Sequence, residues 1–175
     1  MKKPALFLGI LSAILIFSMV KAQTHPLAIG DTCPRFSLPD QNDSLVNMKD
    51  LIGKKILVIY FYPKDESLVC TREACAFRDN FEAFKKLGAI VIGVNYGTVK
   101  SHKDFSEKDK LPFVLLSDSN NAVLKMFGLT GFANGRATYV VDLNGKIVFT
   151  HNAMLQGAAH AEKALEYIEG MEGKH

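Results

Sequence analysis

Eight consecutive residues, Lys55–Tyr62 (KILVIYFY), form an unbroken β-branched and aromatic run that Pro63 ends. Such a strand has no polar face to give to water, so it must lie centrally in a sheet with structure packed above and below it. The rest of the chain supplies that cover. Ala89–Asn95 (AIVIGVN) is a second buried strand and Phe113–Leu116 a third. Between the first two, Cys70, Ala74, Phe77, Phe81 and Phe84 recur at spacings of four, three, four and three, which predicts one helix stopped by Gly88. Ser101–Lys110 reads as an exposed helix and Asn121–Phe127 as a short one. Ala137–Val141 and Lys146–Thr150 flank Asn144-Gly145, a hairpin turn pair. Ala159–Glu169 closes the chain as an amphipathic helix, and Phe36–Pro39 with Leu45–Met48 predicts a short hairpin ahead of the central strand.

Strand, helix, strand, helix, strand, helix, hairpin and helix give an α/β fold, a mixed sheet with helices on both faces. The order resembles that of thioredoxin-like domains. With 48% hydrophobic and 22% charged residues, and no repeats or linkers, the composition describes one ordinary globular domain. The formal charge of +3 is carried by Lys2, Lys3 and Lys21, in a stretch with no acidic residue. Without that stretch the chain is neutral, so net charge gives it no reason to bind nucleic acid. Lys2 and Lys3 precede seventeen uncharged residues, Pro4–Val20, and then Val20-Lys21-Ala22-Gln23. This is the pattern of a signal peptide over residues 1–22, with a small-residue cleavage site. Residues 23–175 are then an exported domain, periplasmic or secreted, and the membrane is a partner only if the leader stays uncleaved as a tether.

Three cysteines, Cys33, Cys70 and Cys75, fall in the exported part, and an odd count leaves at least one thiol outside any internal pair. Cys70 follows a strand, a proline and a short polar loop, and opens a helix. There the helix dipole and unpaired N–H groups favour a thiolate, hence a nucleophile. On position alone it is equally a small buried apolar residue, since it shares the core-facing stripe. Cys75 lies about 140° round the helix from Cys70, off that stripe, so core filling is a poor account of the pair. On an intact helix the two Cα atoms are about 8.7 Å apart, too far for a static disulfide, although a transient one is open to them if the turn unwinds. Metal binding lacks partners, because His25, His102, His151 and His160 show no ligand spacing.

The segment YFYPKDESLVCTREACAFRD, Tyr60–Asp79, closely resembles the active-site segment of Q-type peroxiredoxins, also called bacterioferritin comigratory proteins. Their pattern of Pro, three residues, Thr or Ser, two residues, Cys, and a second Cys five positions on falls on Pro63, Ser67, Cys70 and Cys75. A second family motif, an arginine ahead of a late strand, matches Gly135-Arg136-Ala137-Thr138-Tyr139. The similarity runs from about Ile29 to the last helix.

The resemblance implies a thiol peroxidase acting on hydrogen peroxide and organic hydroperoxides. In it Cys70 is the peroxidatic nucleophile and Cys75 the resolving cysteine, joined in a redox disulfide that a thioredoxin-like dithiol reopens. Arg136 and Ser67 would bind substrate and Pro63 would shield Cys70. Ser67 replaces the commoner threonine and keeps the hydroxyl. Without the resemblance, Arg136 reads as a solvated loop cation and Pro63 as a strand terminator. No metal, haem, flavin or nucleotide is implied as cofactor, and the expected assembly is a monomer. Cys33 reads as a buried apolar residue beside the first hairpin, with an intermolecular bridge or a pairing with Cys70 as alternatives. Two other functions fit the fold: an exported protein thiol-disulfide oxidoreductase, for which C-x4-C is the wrong spacing, and a non-catalytic thioredoxin-like binding module.

Overall fold

The computed structural model describes residues 25–129 and 135–172; the leader expected at residues 1–22 lies outside them. Among the described residues, β3 (Ile56–Phe61) is the central strand of a five-stranded sheet. β4 (Ala89–Asn95) and β5 (Val114–Ser117) extend it in parallel on one side. β6 (Ala137–Val141) and β7 (Ile147–Asn152) extend it antiparallel on the other. A separate hairpin pairs β1 (Ser37–Pro39) with β2 (Leu45–Asn47).

The uninterrupted apolar character of β3 has the expected cause. Leu57, Ile59 and Phe61 point into one core with Met48, Val123 and Phe127. Val58 and Tyr60 point into the other with Phe77, Phe105 and Ala164. Successive side chains alternate across the strand, and both faces are filled. The first core holds Cys33, 2% exposed and its thiol pushed up to about 12 by burial, so it packs as a small apolar residue. Short α4 (Ala122–Met126) covers that face. Helices α1 (Leu68–Asp79), α2 (Phe81–Lys86), α3 (Val99–Lys108) and α5 (Gly157–Glu172) carry residues outside it, with Phe77, Phe84, Phe105 and Ile168 in the second core.

Two sequence expectations need correction. The single helix predicted from Cys70 through Phe84 breaks at Asn80, at φ −99° and ψ 5°. The Asn80 side chain donates to the Ala76 carbonyl at 2.9 Å, a local bond that competes with regular helix propagation. The apolar stripe nevertheless continues across the break, and the Phe77 and Phe84 rings lie 5.9 Å apart. The helix expected at Ser101–Lys110 begins at Val99, where the Thr98 side chain caps the Ser101 N–H, and it is not simply exposed. His102 and Phe105 are fully buried under it.

Helix α5 meets α1 at very close range. A Cβ placed on Gly157 would lie 2.4 Å from the Val69 carbonyl oxygen, so only glycine lets the start of α5 press on the first turn of α1.

Candidate active site

Strand register builds the site. Phe61 pairs with Ala137 across β3 and β6, so Arg136, one residue before β6, is brought beside the segment leaving β3. That segment runs through Pro63 to Ser67, the N-cap of α1. Cys70 sits in the first turn of α1, where helix N–H groups lack intrahelical acceptors and the dipole is positive. Glu66, just before the cap, adopts a left-handed φ of 57° that turns the chain into the helix.

The thiol of Cys70 is 1% exposed, and Arg136 Nη2 donates to its sulfur at 3.1 Å. Arg136 is itself 2% exposed. Its Nε donates to the Met154 carbonyl at 2.9 Å, and its Nη1 pairs with Glu73 Oε2. The expectation of a solvated cation, drawn from loop position alone, is therefore overturned: three acceptors replace the water that a buried guanidinium gives up. This is the pairing that nearest-neighbour sequence reasoning misses, because it depends on β-register.

Glu73 was absent from the sequence reading and is fully buried. It lies three residues after Cys70 on the same stripe as Ala74 and Phe77, and an acid on a core-facing stripe was the available signal. Burial drives its carboxyl up to about 8, against the opposing pull of the Arg136 guanidinium.

A second buried acid, Asp65, pins the loop ahead of α1. Its Oδ1 accepts from Tyr62 Oη and Asn95 Nδ2, both at 2.8 Å. Its Oδ2 accepts from Ser101 Oγ at 2.5 Å and His102 Nδ1 at 2.9 Å. Burial alone would raise this carboxyl, but the hydrogen bonds from His102, Ser101 and Tyr62 hold it below the ordinary carboxylate range.

The remaining sequence candidates are placed differently. Cys75 is half-exposed on the other side of α1, and burial outweighs neighbouring Arg78 to push its thiol up. Both Cys70 and Cys75 are free thiols on one helix. Ser67 is brought to the N-cap, but its hydroxyl donates to the Lys64 carbonyl at 3.3 Å. Pro63 lines a largely apolar cavity of about 370 Å³ together with Tyr62, Tyr96, Leu124, Gly135 and Met154. Two of these residues adjoin Arg136: Gly135 precedes it in the chain and Met154 accepts from its Nε.

A buried thiol in a helix's first turn, bonded by an arginine delivered from the adjacent antiparallel strand of a thioredoxin-like sheet, defines a class of thiol-dependent peroxidases. The AhpC/TSA family matches across residues 29–150, and the chain belongs to that family, in its Q-type peroxiredoxin branch. It is 44% identical over 146 residues to the chloroplastic peroxiredoxin Q of Sedum lineare, covering 81% of this chain and 78% of that one. Its identity to the chloroplastic peroxiredoxin Q of Oryza sativa subsp. japonica is 43%, over 81% of this chain and 67% of the rice protein. Among solved structures, the peroxidoxin BcpB of Mycobacterium tuberculosis superposes with a TM-score of 0.77 at 31% identity, covering 82% and 97% of the two chains. The Xanthomonas campestris bacterioferritin comigratory protein, studied for alkyl peroxide reduction, gives 0.72 at 29% identity over 78% and 91%. The protein is an oxidoreductase, a thiol peroxidase with the thioredoxin-like fold.

Proposed function

We propose that Cys70 is the peroxidatic nucleophile and that Cys75 resolves it. The observation that carries this reading is the 3.1 Å bond from buried Arg136 to the Cys70 sulfur in the first turn of α1. The Cys70 thiolate attacks the terminal oxygen of a peroxide, the O–O bond breaks, and the departing alkoxide or hydroxide takes up a proton. The guanidinium already aimed at the sulfur, helped by the positive end of the α1 dipole, stabilises the charge that develops on the peroxide oxygens. Ser67 adds a hydroxyl from the N-cap once it turns from Lys64, and Pro63 walls the site from water. The apolar cavity beside Pro63 and Gly135 suits the carbon chain of an organic hydroperoxide.

Cys70 sulfenic acid then condenses with the Cys75 thiol, forming the S–S bond and releasing water. A thioredoxin-like dithiol reduces the bridge by exchange. Regular helix geometry holds the two Cα atoms about 8.7 Å apart, so α1 must open between the cysteines before they join. Residues 1–22 are read as a cleaved export leader and residues 23–175 as the catalytic domain, acting as a monomer in the periplasm or outside the cell. Intact-mass measurement of exported protein tests the leader, with Gln23 as the expected first residue.

Peroxide consumption with dithiothreitol as reductant tests the catalytic assignment. Cys70→Ser should abolish it. Cys75→Ser should keep the first turnover, leave sulfenic acid on Cys70 and become sensitive to excess peroxide through sulfinic acid. A bridge from Cys70 to Cys33 in oxidised protein, or undiminished turnover without Cys70, would overturn the assignment.

A further inference from the structure

Beside Arg136, a row of polar groups crosses the second core. Tyr60, Thr138 and His151 are register partners on β3, β6 and β7, so their side chains share one face of the sheet. His160 of α5 descends onto that row. It is fully buried, with Nδ1 2.9 Å from Thr138 Oγ1 and Nε2 3.1 Å from the Ala153 carbonyl oxygen.

These two contacts assign protons. A carbonyl oxygen only accepts, so His160 Nε2 must carry hydrogen, and in the neutral ring Nδ1 is then the bare nitrogen that accepts from the Thr138 hydroxyl. Glu73 Oε1 lies 3.5 Å from that same Nδ1 and has no hydrogen-bond partner among the described residues. With the acid ionised and the ring neutral, an orphaned carboxylate oxygen would face a nitrogen lone pair inside the core. That state leaves a buried charge half-satisfied and adds lone-pair repulsion. One proton, on either group, removes both faults: on the carboxyl it cancels the buried charge, and on Nδ1 it makes the ring a cation that pairs with Glu73 and donates to the Thr138 oxygen.

We propose that Glu73 and His160 share a single buried proton, and that the pair is a positioning device which leaves the positive charge of Arg136 to the Cys70 sulfur. The groups around it fit a pair that is neutral overall. Glu73 is faced by Arg136 ahead of β6, by Cys70 on its own helix and by the Tyr60 hydroxyl of β3, which has no hydrogen-bond partner among the described residues. His160 is faced by the His151 ring of β7 at 4.6 Å, and by the cations Arg136 and Lys163. Burial lowers His160 to about 4, while it raises Glu73, so the proton resides mainly on the acid. When the pair loses it, the Glu73 carboxylate competes with the Cys70 thiolate for one guanidinium.

The inference rests on the catalytic reading only for this last consequence, and its primary test does not use activity. Infrared difference spectra of the reduced protein near neutral pH, with Glu73→Gln as the assignment control, report whether Glu73 carries a proton. Nitrogen-15 NMR of the imidazoles reports the state of both His160 nitrogens in unmutated protein. A protonated Glu73 with His160 as the neutral Nε2–H form supports the proposal. So does a Glu73 carboxylate with doubly protonated His160, since the same proton has moved to the other atom. A carboxylate together with a neutral ring overturns it. The rate of Cys70 oxidation by peroxide supplies the mechanistic arm. In the unmutated protein it should fall about tenfold as alkaline pH removes the shared proton, the scale of weakening one charge-assisted bond. In Glu73→Gln that fall should disappear; if it persists, the pair does not govern Arg136. Peroxide reduction surviving in Cys70→Ser would instead sink the catalytic reading and leave the spectroscopic result standing.

Discussion

Two buried carboxylates flank the turn that carries Cys70, and their surroundings push them in opposite directions. Asp65 receives four donors, from Tyr62, Asn95, Ser101 and His102, and is held low despite its burial. Among the described residues Glu73 has Arg136 on one oxygen and nothing hydrogen-bonded to the other, and burial drives it up. Desolvation opposes the charged form at both sites, so the number of donors decides which acid stays ionised. The consequence is a division of labour around Cys70. Asp65 is a fixed anion that ties the loop after β3 to β4 and α3. Glu73 can exist as a neutral group that holds Arg136 without consuming its charge.

The most damaging way to break this contrast is to remove the cation on the Glu73 side. Arg136→Ala should slow peroxide reduction at Cys70 about a hundredfold or more, the scale for losing a transition-state donor. It should also lower stability by about 3–5 kcal/mol wherever Glu73 is forced to ionise without a partner. Stopped-flow oxidation and urea unfolding read the two effects separately. Unchanged oxidation kinetics would remove Arg136 from the chemistry.

The next test compares the acids directly. Asp65→Asn puts an amide nitrogen where two donors now converge and should cost about 2–3 kcal/mol, since it leaves buried donors unpaired. Glu73→Gln keeps an acceptor for Arg136 and the side-chain volume, and should cost less than about 1 kcal/mol near neutral pH. Equal losses in urea unfolding would mean that donor count does not distinguish the sites.

Changing pH should separate them with opposite signs. Asp65 is lowered in the folded state, so its stabilisation is present above the ordinary carboxylate value and is lost as pH falls through its folded value. Glu73 is raised from 4.5 to about 8, so its contribution is complete below 4.5 and is lost as pH rises toward 8. His160 is a base lowered from 6.5 to about 4, so its contribution is present above 6.5 and is lost as pH falls toward 4. The Glu73 and His160 slopes oppose one another at mildly acidic pH, which leaves an uncompensated decline above 6.5. Glu73→Gln should flatten that decline, and Asp65→Asn should flatten the acid limb instead. Urea midpoints across pH measure both.

The contrast also explains what the sequence could and could not reveal. KILVIYFY announced β3 because an unbroken apolar run has one stable placement, and Asn144-Gly145 announced the β6–β7 turn because its backbone demands are local. The same reasoning joined Cys70 and Asn80 in one helix, since apolar spacing does not register a side chain that caps the chain midway. Cys70 was legible as a candidate nucleophile from its place at a helix start and Cys75 from its place off the apolar stripe, but their division of roles and the part of Arg136 came only from resemblance to a family motif, and loop position alone misread Arg136 as solvated. Its burial depends on the Phe61–Ala137 register, which no local signal encodes. The partnerships of Asp65 with His102 and of Glu73 with His160 went unread for the same reason. Each of the four is an ordinary polar residue in its own segment, and its partners lie as far as 87 positions away, as from Glu73 to His160. A histidine on a helix and an acid on an apolar stripe were visible; that they face each other was not.

The smallest expected effect concerns Ser67, which stands between the two acids in sequence and gives its hydroxyl to neither. Its hydroxyl is committed to the Lys64 carbonyl at 3.3 Å, a long bond at a partly exposed position. Ser67→Ala should therefore change stability by less than about 1 kcal/mol. A hydroxyl that turns to peroxide only when substrate is bound would be invisible to unfolding and visible in kinetics. On that account Ser67→Ala slows Cys70 oxidation with unaltered stability, whereas Ser67→Thr keeps the donor, restricts its rotamers and leaves the rate equal or faster. Parallel stopped-flow and urea measurements on the two variants decide it. If Ser67→Ala loses stability but oxidises at the original rate, the side chain serves the loop that Asp65 pins and has no part in the chemistry that Arg136 supports.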